Sequence, residues 1–206
     1  MKMSPSRKHA LKGFTLIEMI GVLAVIAILA SLLIPKIYEA INNARISNAA
    51  LSYNSIKTAL ADHYAKYGAL YSSNGTPIVA ADYAATHFDQ TLVSEGFSDK
   101  PFNVKIGSGS VVQVVDAVAS GTAPTGTNPA YDLDGTGAAN DAVGSAVVQC
   151  VITNVTLGDA FALSTLLDGA SLSATNASVG TSDLKGRVKY DGTASPTLVY
   201  IYVTHR

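Results

Sequence analysis

Residues 12–35 decide the fold, and they read Lys12-Gly13-Phe14-Thr-Leu-Ile-Glu18-Met-Ile-Gly-Val-Leu-Ala-Val-Ile-Ala-Ile-Leu-Ala-Ser-Leu-Leu-Ile34-Pro35. Residues 14–34 are predominantly apolar, and Glu18 is the one charged residue among them. At the rise of an α-helix this stretch is about 31 Å long, which matches a bilayer core of about 30 Å. We therefore predict a transmembrane helix over residues 14–34 that Pro35 ends or kinks.

The charge pattern orients this predicted helix. Four basic residues precede the apolar run and no acid does; they are Lys2, Arg7, Lys8 and Lys12. Because basic residues favour the cytoplasmic side of a membrane, we expect residues 1–13 in the cytoplasm and residues 36–206 outside. The formal net charge is −1, and the basic charge concentrated before the apolar run leaves little to neutralise phosphates, so we predict no nucleic-acid partner.

Helical periodicity continues past Pro35 but becomes amphipathic. Apolar and aromatic residues recur at intervals of three or four, namely Ala49, Tyr53, Ile56, Leu60, Tyr64 and Tyr67. This spacing predicts one helix from about Phe14 to Tyr67, with Gly68 as its stop. Residues 35–68 would continue into a globular domain formed by residues 69–206.

Beyond residue 69 the pattern changes to loops and strands. A long surface loop is predicted within Ser171–Ser182. Four segments predict strands, Val111–Val118, Ala146–Thr153, Gly186–Tyr190 and Thr197–His205. In the last of them the Val and Ile residues at 199, 201 and 203 face one side and the tyrosines at 200 and 202 face the other. The predicted fold class is α+β, a long N-terminal helix packed on a small antiparallel sheet.

The chain has a single cysteine, Cys150, so no internal disulfide can form. Period-2 alternation places Cys150 on the same strand face as Val148 and Ile152. We interpret it as a buried small hydrophobe and not as a reactive thiol.

The start of the apolar run carries a more specific signal. A basic leader ends in Gly13, the aromatic Phe14 follows, and Glu18 lies four residues later inside the span. This arrangement resembles the prepilin signature of type IV pilins and type II secretion pseudopilins. The resemblance implies that a prepilin peptidase cuts after Gly13 and methylates the new amino terminus of Phe14, and that the helix kinks at Pro35.

The resemblance also implies a structural function, without enzyme activity and without a required cofactor. The chain would assemble with identical or related subunits, through dedicated assembly machinery, into a type IV pilus or a type II secretion pseudopilus. The precursor would lie in the lipid of a bacterial inner membrane, and the assembled filament would be periplasmic or extracellular. An acid inside lipid costs roughly 2–4 kcal/mol, so we expect Glu18 to pair with the α-amino group of a neighbouring subunit during assembly.

Two other classes of protein share parts of this pattern. A single-span membrane-anchored sensor or binding domain that does not polymerise explains the length and topology, but not Gly13, Phe14 and Glu18 together. A secreted hydrolase would carry a signal peptide, whose apolar core excludes a charge. Residues 35–206 also supply no nucleophile paired with a base.

An acidic loop forms a second candidate site. Oxygen-bearing side chains occupy the first, third, fifth and ninth positions of a calcium-loop pattern, with glycine at the sixth; they are Asp132, Asp134, Thr136 and Asn140. Val143 stands at the twelfth position, where such loops place a bidentate acid, and Asp141 could substitute for it. The pattern fits a calcium site and fits an ordinary Asp-Gly turn equally well.

Overall fold

The computed structural model describes residues 13–68, 70, 87–115, 119, 121–137, 141–143 and 146–205. Within these ranges the elements are, in chain order, α1 (Leu16–Tyr67), α2 (Phe88–Ser94), β1 (Gly109–Val115), β2 (Val147–Val155), α3 (Leu157–Asp168), β3 (Val188–Tyr190) and β4 (Thr197–His205). Contacts divide the chain into a unit that ends at Ile41 and a second unit that begins at Asn42. The predicted domain boundaries after residues 13, 34 and 68 stay predictions.

Helix α1 is a single helix of 52 residues with Pro35 inside it. The proline therefore does not end the helix, although it removes the N–H that would bond the carbonyl of Ser31. The kink predicted at Pro35 stays a prediction. The helix ends at Tyr67 as expected, because Gly68 has a φ of 68° and donates its N–H to the Tyr64 carbonyl at 2.9 Å.

The second half of α1 buries one face, as its periodicity predicted. The buried residues are Ile46, Ala49, Ala50, Tyr53, Ile56, Ala59, Leu60 and His63. Except for His63, they belong to a core that includes side chains from all four strands. A direct polar contact joins the helix to the sheet, since the Tyr53 hydroxyl donates to the Tyr202 carbonyl at 2.9 Å.

The sheet is antiparallel with the strand order β1-β2-β4-β3. The predicted α+β class is confirmed. Predicted and observed bounds agree for β4 and differ by a few residues for β1, β2 and β3. Residues 116–118, which the prediction assigned to the first strand, lie outside the described ranges.

Each side of the sheet has its own cluster of side chains. The helix-facing core holds Val199, Ile201 and Val203 of β4, together with Cys150, while Tyr200 and Tyr202 pack in a second cluster. The predicted alternation of β4 and the buried position of Cys150 are therefore confirmed. The second cluster is centred on Tyr131, Ala142 and Val147, so the loop before β2 covers the opposite sheet face.

We expected only loops and strands after residue 69, but the described residues of that region include two helices, α2 and α3. Helix α3 begins at an N-cap, because the Thr156 hydroxyl accepts the N–H of Asp159 at 3.2 Å. Its buried residues Leu157, Ala160, Leu163 and Ser164 follow a helical period. The signal was present in the sequence, but it was short and followed directly on an apolar strand.

Candidate assembly helix and acidic loop

The first half of α1 exposes its apolar side chains. Phe14, Leu16 and Ile17 are 80%, 77% and 78% exposed. The most apolar 18-residue window of the helix has a mean hydropathy of 2.7, and none of it is buried inside the protein. By length and composition this helix can cross a membrane. A continuous apolar surface of this size is stable only against lipid or against other apolar helices.

Glu18 and Thr15 cap the N-terminus of α1. The Glu18 oxygen Oε2 accepts both the backbone N–H and the hydroxyl of Thr15 at 2.8 Å, and the Thr15 hydroxyl accepts the Glu18 N–H at 3.3 Å. A Thr and a Glu three residues later that bond each other's backbone form a capping box. The sequence Thr15-Leu-Ile-Glu18 carries this signal, and the sequence analysis missed it. The acid inside the span therefore has a local structural role.

The predicted processing site lies just before this cap. Gly13 and Phe14 precede the first helical residue, and both are exposed. Leader residues 1–12 lie outside the described ranges. If the chain is cut after Gly13, the new ammonium of Phe14 is placed one residue from Thr15, next to the helix N-terminus.

In the acidic loop the structure brings three carboxylates together. One oxygen from each of Asp132, Asp134 and Asp141 lies within 4.8 Å of the other two. The segment also bonds to itself, since Asp141 Oδ2 accepts the N–H groups of Leu133 at 2.6 Å and Asp134 at 3.2 Å. Thr136 belongs to the same turn, because its N–H donates to Asp134 Oδ1 at 2.9 Å. Asn140, the fifth predicted ligand, lies outside the described residues.

Asp132 is the unusual member of this cluster. Its residue is only 2% exposed, and its oxygen Oδ2 accepts the N–H of Gly137 at 2.9 Å. Its other oxygen, Oδ1, is buried and has no hydrogen-bond partner. An unpaired buried carboxylate oxygen is costly. Asp134, by contrast, is exposed, and hydrogen bonds from the backbone and side chain of Thr136 lower its pKa.

Two buried polar residues, His63 and Lys189, connect separate segments of the fold, and the sequence analysis assigned a role to neither. His63 Nδ1 lies 2.7 Å from Glu95 Oε2 and joins α1 to the end of α2. The Lys189 ammonium donates to the carbonyls of Asn128 and Ala130, the second at 2.7 Å, and lies 4.3 Å from the centre of the Tyr131 ring. Burial lowers the pKa of Lys189 to about 7. Lys189 therefore fixes the loop that leads into Asp132.

Comparison with known proteins adds independent evidence on the N-terminus. The family model described as the prokaryotic N-terminal methylation motif matches residues 9–34. The chain is 31% identical over 87 residues to the type IV major pilin protein of Neisseria gonorrhoeae. It is 36% identical over 70 residues to the fimbrial protein of Neisseria meningitidis. These matches cover 41% and 34% of the chain, and it spans 41% of the length of each relative. No solved structure matches.

Proposed function

We propose that this chain is a member of the type IV pilin family and a filament subunit that assembles through α1. Support comes from its N-terminal methylation motif and from its likeness to a type IV major pilin protein and a fimbrial protein of Neisseria. Pilins are structural proteins and not enzymes. The observation that carries the proposal is the capped, exposed apolar half of α1. A helix of this kind serves first as a membrane anchor and then as a packing surface between subunits.

Processing precedes assembly in this proposal. A prepilin peptidase cuts the precursor after Gly13 and methylates the amino group of Phe14. The precursor spans the inner membrane with residues 1–13 in the cytoplasm, and residues 36–206 lie outside. The assembly machinery then moves the subunit from lipid into a filament, either a pilus or a secretion pseudopilus.

Glu18 has one carboxylate oxygen for the cap and one for a neighbouring subunit. Glu18 Oε2 accepts the two hydrogen bonds that Thr15 donates, and the third bond runs from the Glu18 N–H to the Thr15 hydroxyl. None of these three bonds uses Oε1. We assign Oε1 to the methylated ammonium of Phe14 in an adjacent subunit. Two opposite charges that meet inside a helix bundle cost less than either alone in lipid. This contact would favour assembly and set the register between subunits.

Co-expression with a prepilin peptidase tests the processing step. Intact mass spectrometry should find a chain that begins at methylated Phe14, and Gly13→Val should keep the leader. Gly158→Val is a control for the glycine substitution, because Gly158 is remote in sequence from the cleavage site and a Cβ there meets only the Thr156 hydroxyl, at 3.9 Å. A Gly13→Val chain processed at the normal rate, or native material that retains Met1, would show that the assignment is wrong.

We further propose that the acidic loop binds a calcium ion through Asp132, Asp134 and Asp141. Support comes from the unpaired, buried Oδ1 of Asp132, which a cation would satisfy. Three carboxylates with oxygens within 4.8 Å repel one another without a cation, and hard oxygen ligands suit calcium. Thr136 and Asn140 are the further oxygen-bearing side chains of the loop.

Thermal unfolding with calcium and with a chelator tests this second proposal. Calcium at 100 times its Kd should add about 2.7 kcal/mol to the free energy of unfolding. Asp132→Asn should abolish this gain, and it should leave the chelated protein no less stable, because it removes a buried charge. Asp99→Asn, at an exposed acid outside the loop, should keep the full gain. Equal unfolding with calcium and with chelator would leave the loop as an ordinary turn.

A further inference from the structure

A cavity of about 670 Å³ lies between α3 and the segment 170–185. This volume is in the range of small-molecule binding sites, roughly 300–1,000 Å³. It belongs to the unit that begins at Asn42. None of the residues assigned above to the assembly contact or to the calcium loop lines it.

The cavity wall combines apolar and hydroxyl-bearing side chains. Phe161, Ala174 and Leu184 contribute carbon surface, and Ser171 and Thr175 contribute hydroxyl groups. A hydroxyl can both donate and accept hydrogen bonds. A ligand that fits such a wall needs an apolar face and, around it, polar groups that donate and accept hydrogen bonds.

Charge at the cavity disfavours ions of either sign. Asp183 is 2% exposed and lines the cavity, and its carboxylate is fixed by the Ser164 hydroxyl at 2.6 Å. Burial raises the pKa of Asp183. Thr165 lies in the last turn of α3, where the helix dipole adds negative potential. Lys185 supplies one positive charge at the exposed wall, so an anion meets Asp183 and a cation meets Lys185.

We propose that this cavity binds one neutral sugar unit. The C–H face of the sugar ring lies against Phe161, and its hydroxyls bond to Thr175 and donate to the Thr165 oxygen, whose own proton is held by the Phe161 carbonyl at 2.9 Å. A neutral saccharide offers the apolar face and the mixed donors and acceptors that this wall requires. This binding activity is additional to the filament function and does not depend on it.

Saturation-transfer NMR on the full chain tests the proposal, in a zwitterionic detergent that has no sugar headgroup. The probes are a panel of neutral hexoses and N-acetylhexosamines, with glucuronic acid and glucosamine as charged comparisons. At least one neutral sugar should show transfer, strongest at the protons of one ring face. Glucuronic acid should show little or none, and glucosamine should bind more weakly than its neutral counterpart.

A matched pair of variants locates the binding. Thr165→Trp fills the cavity from an exposed position and should abolish transfer, whereas Leu166→Trp, at the next residue and outside the wall, should preserve it. If Thr165→Trp does not fold, Ser171→Trp blocks the cavity from the opposite segment. The proposal is overturned if no neutral sugar shows transfer at about 10 mM, ten times a weak Kd of about 1 mM. It is equally overturned if the blocked variants still bind or if glucuronic acid binds as well as neutral sugars.

Discussion

Thr15 and Glu18 bond each other at the start of α1, through Glu18 Oε2 and the Thr15 N–H and hydroxyl at 2.8 Å. The cap and the proposed contact between subunits therefore depend on the same carboxylate. They differ in what they require of it, because a cap needs an acceptor and pairing with an ammonium needs a negative charge. Substitutions that separate acceptor from charge distinguish the two roles.

Glu18→Gln keeps an acceptor and removes the charge, and Glu18→Ala removes both. We expect both variants to be cleaved by the peptidase and both to enter filaments poorly, because each leaves the neighbour's ammonium without a counter-charge. Thr15→Val, which weakens only the cap at a cost of about 1 kcal/mol, should assemble nearly normally. The measurement is the fraction of subunit in sheared filaments compared with the membrane fraction. Normal assembly of Glu18→Gln would assign the residue to capping alone.

Substitutions at Gly135 and Gly137 test how closely the acidic loop packs against Leu172. Both have a φ of 76°, so alanine at either costs about 1–2 kcal/mol in backbone strain. A Cβ at Gly135 would also come within 2.5 Å of Leu172 Cδ2, whereas one at Gly137 meets nothing within 4 Å. Gly135→Ala should therefore reduce the free energy of unfolding by about 1 kcal/mol more than Gly137→Ala. Denaturant unfolding measures the difference, and Leu172→Ala in the Gly135→Ala background should remove it.

Lys189 should make stability depend on pH. Burial lowers its pKa to about 7 from the ordinary 10.5. Above pH 7 the unfolded chain then binds more protons than the folded chain, so stability should rise with pH. The rise reaches at most about 1.4 kcal/mol per pH unit. It should be measured between about pH 7 and about pH 8.5 in a Cys150→Ala background, because an unfolded cysteine itself titrates near pH 8.5 and would oppose the rise.

The control for this slope is a second lysine in the same region. Lys189→Met should flatten the slope, while Lys185→Met, at an exposed residue, should not. Burial raises the pKa values of Tyr131 and Tyr200, so neither phenol titrates in this window. An unchanged slope in Lys189→Met would mean that other groups cause the pH dependence.

Cys150 should not react with thiol reagents in the folded chain. The residue is fully buried, and burial raises the pKa of its thiol above the ordinary range. Maleimide should label it only after denaturation. Leu166→Cys in a Cys150→Ala background is the positive control, because position 166 is 53% exposed. Rapid labelling of native Cys150 would contradict the buried position in β2.

The long helix was predictable because it depends on local periodicity. Spacings of three and four from Ala49 to Tyr67 predicted the buried face of α1, and alternation in β4 predicted which residues face the helix. Helix α3 carried the same kind of signal over only 12 residues, directly after an apolar strand. Such a short pattern is hard to separate from a strand or loop, so it was missed.

The acidic loop, by contrast, could not be interpreted from its sequence alone. Its spacing suggested ligands, but spacing alone could not distinguish a metal site from a turn. Folding buries Asp132 beneath the loop and leaves its Oδ1 without a partner, and that observation favours a cation. The cavity at Phe161 and Asp183 had no sequence signal, because the residues that line it lie in separate segments.

Sequence by itself determined the membrane-length helix, the N-terminal methylation motif over residues 9–34 and the faces of β4, since each depends on residues that are near neighbours along the chain. Tertiary structure alone decided the strand order β1-β2-β4-β3, the buried contacts of His63 and Lys189, and the meeting of Asp132 with Asp141. The physical reason is that burial and long-range pairing depend on which distant segments come together. The conformational propensity of a local segment carries no information about these distant contacts.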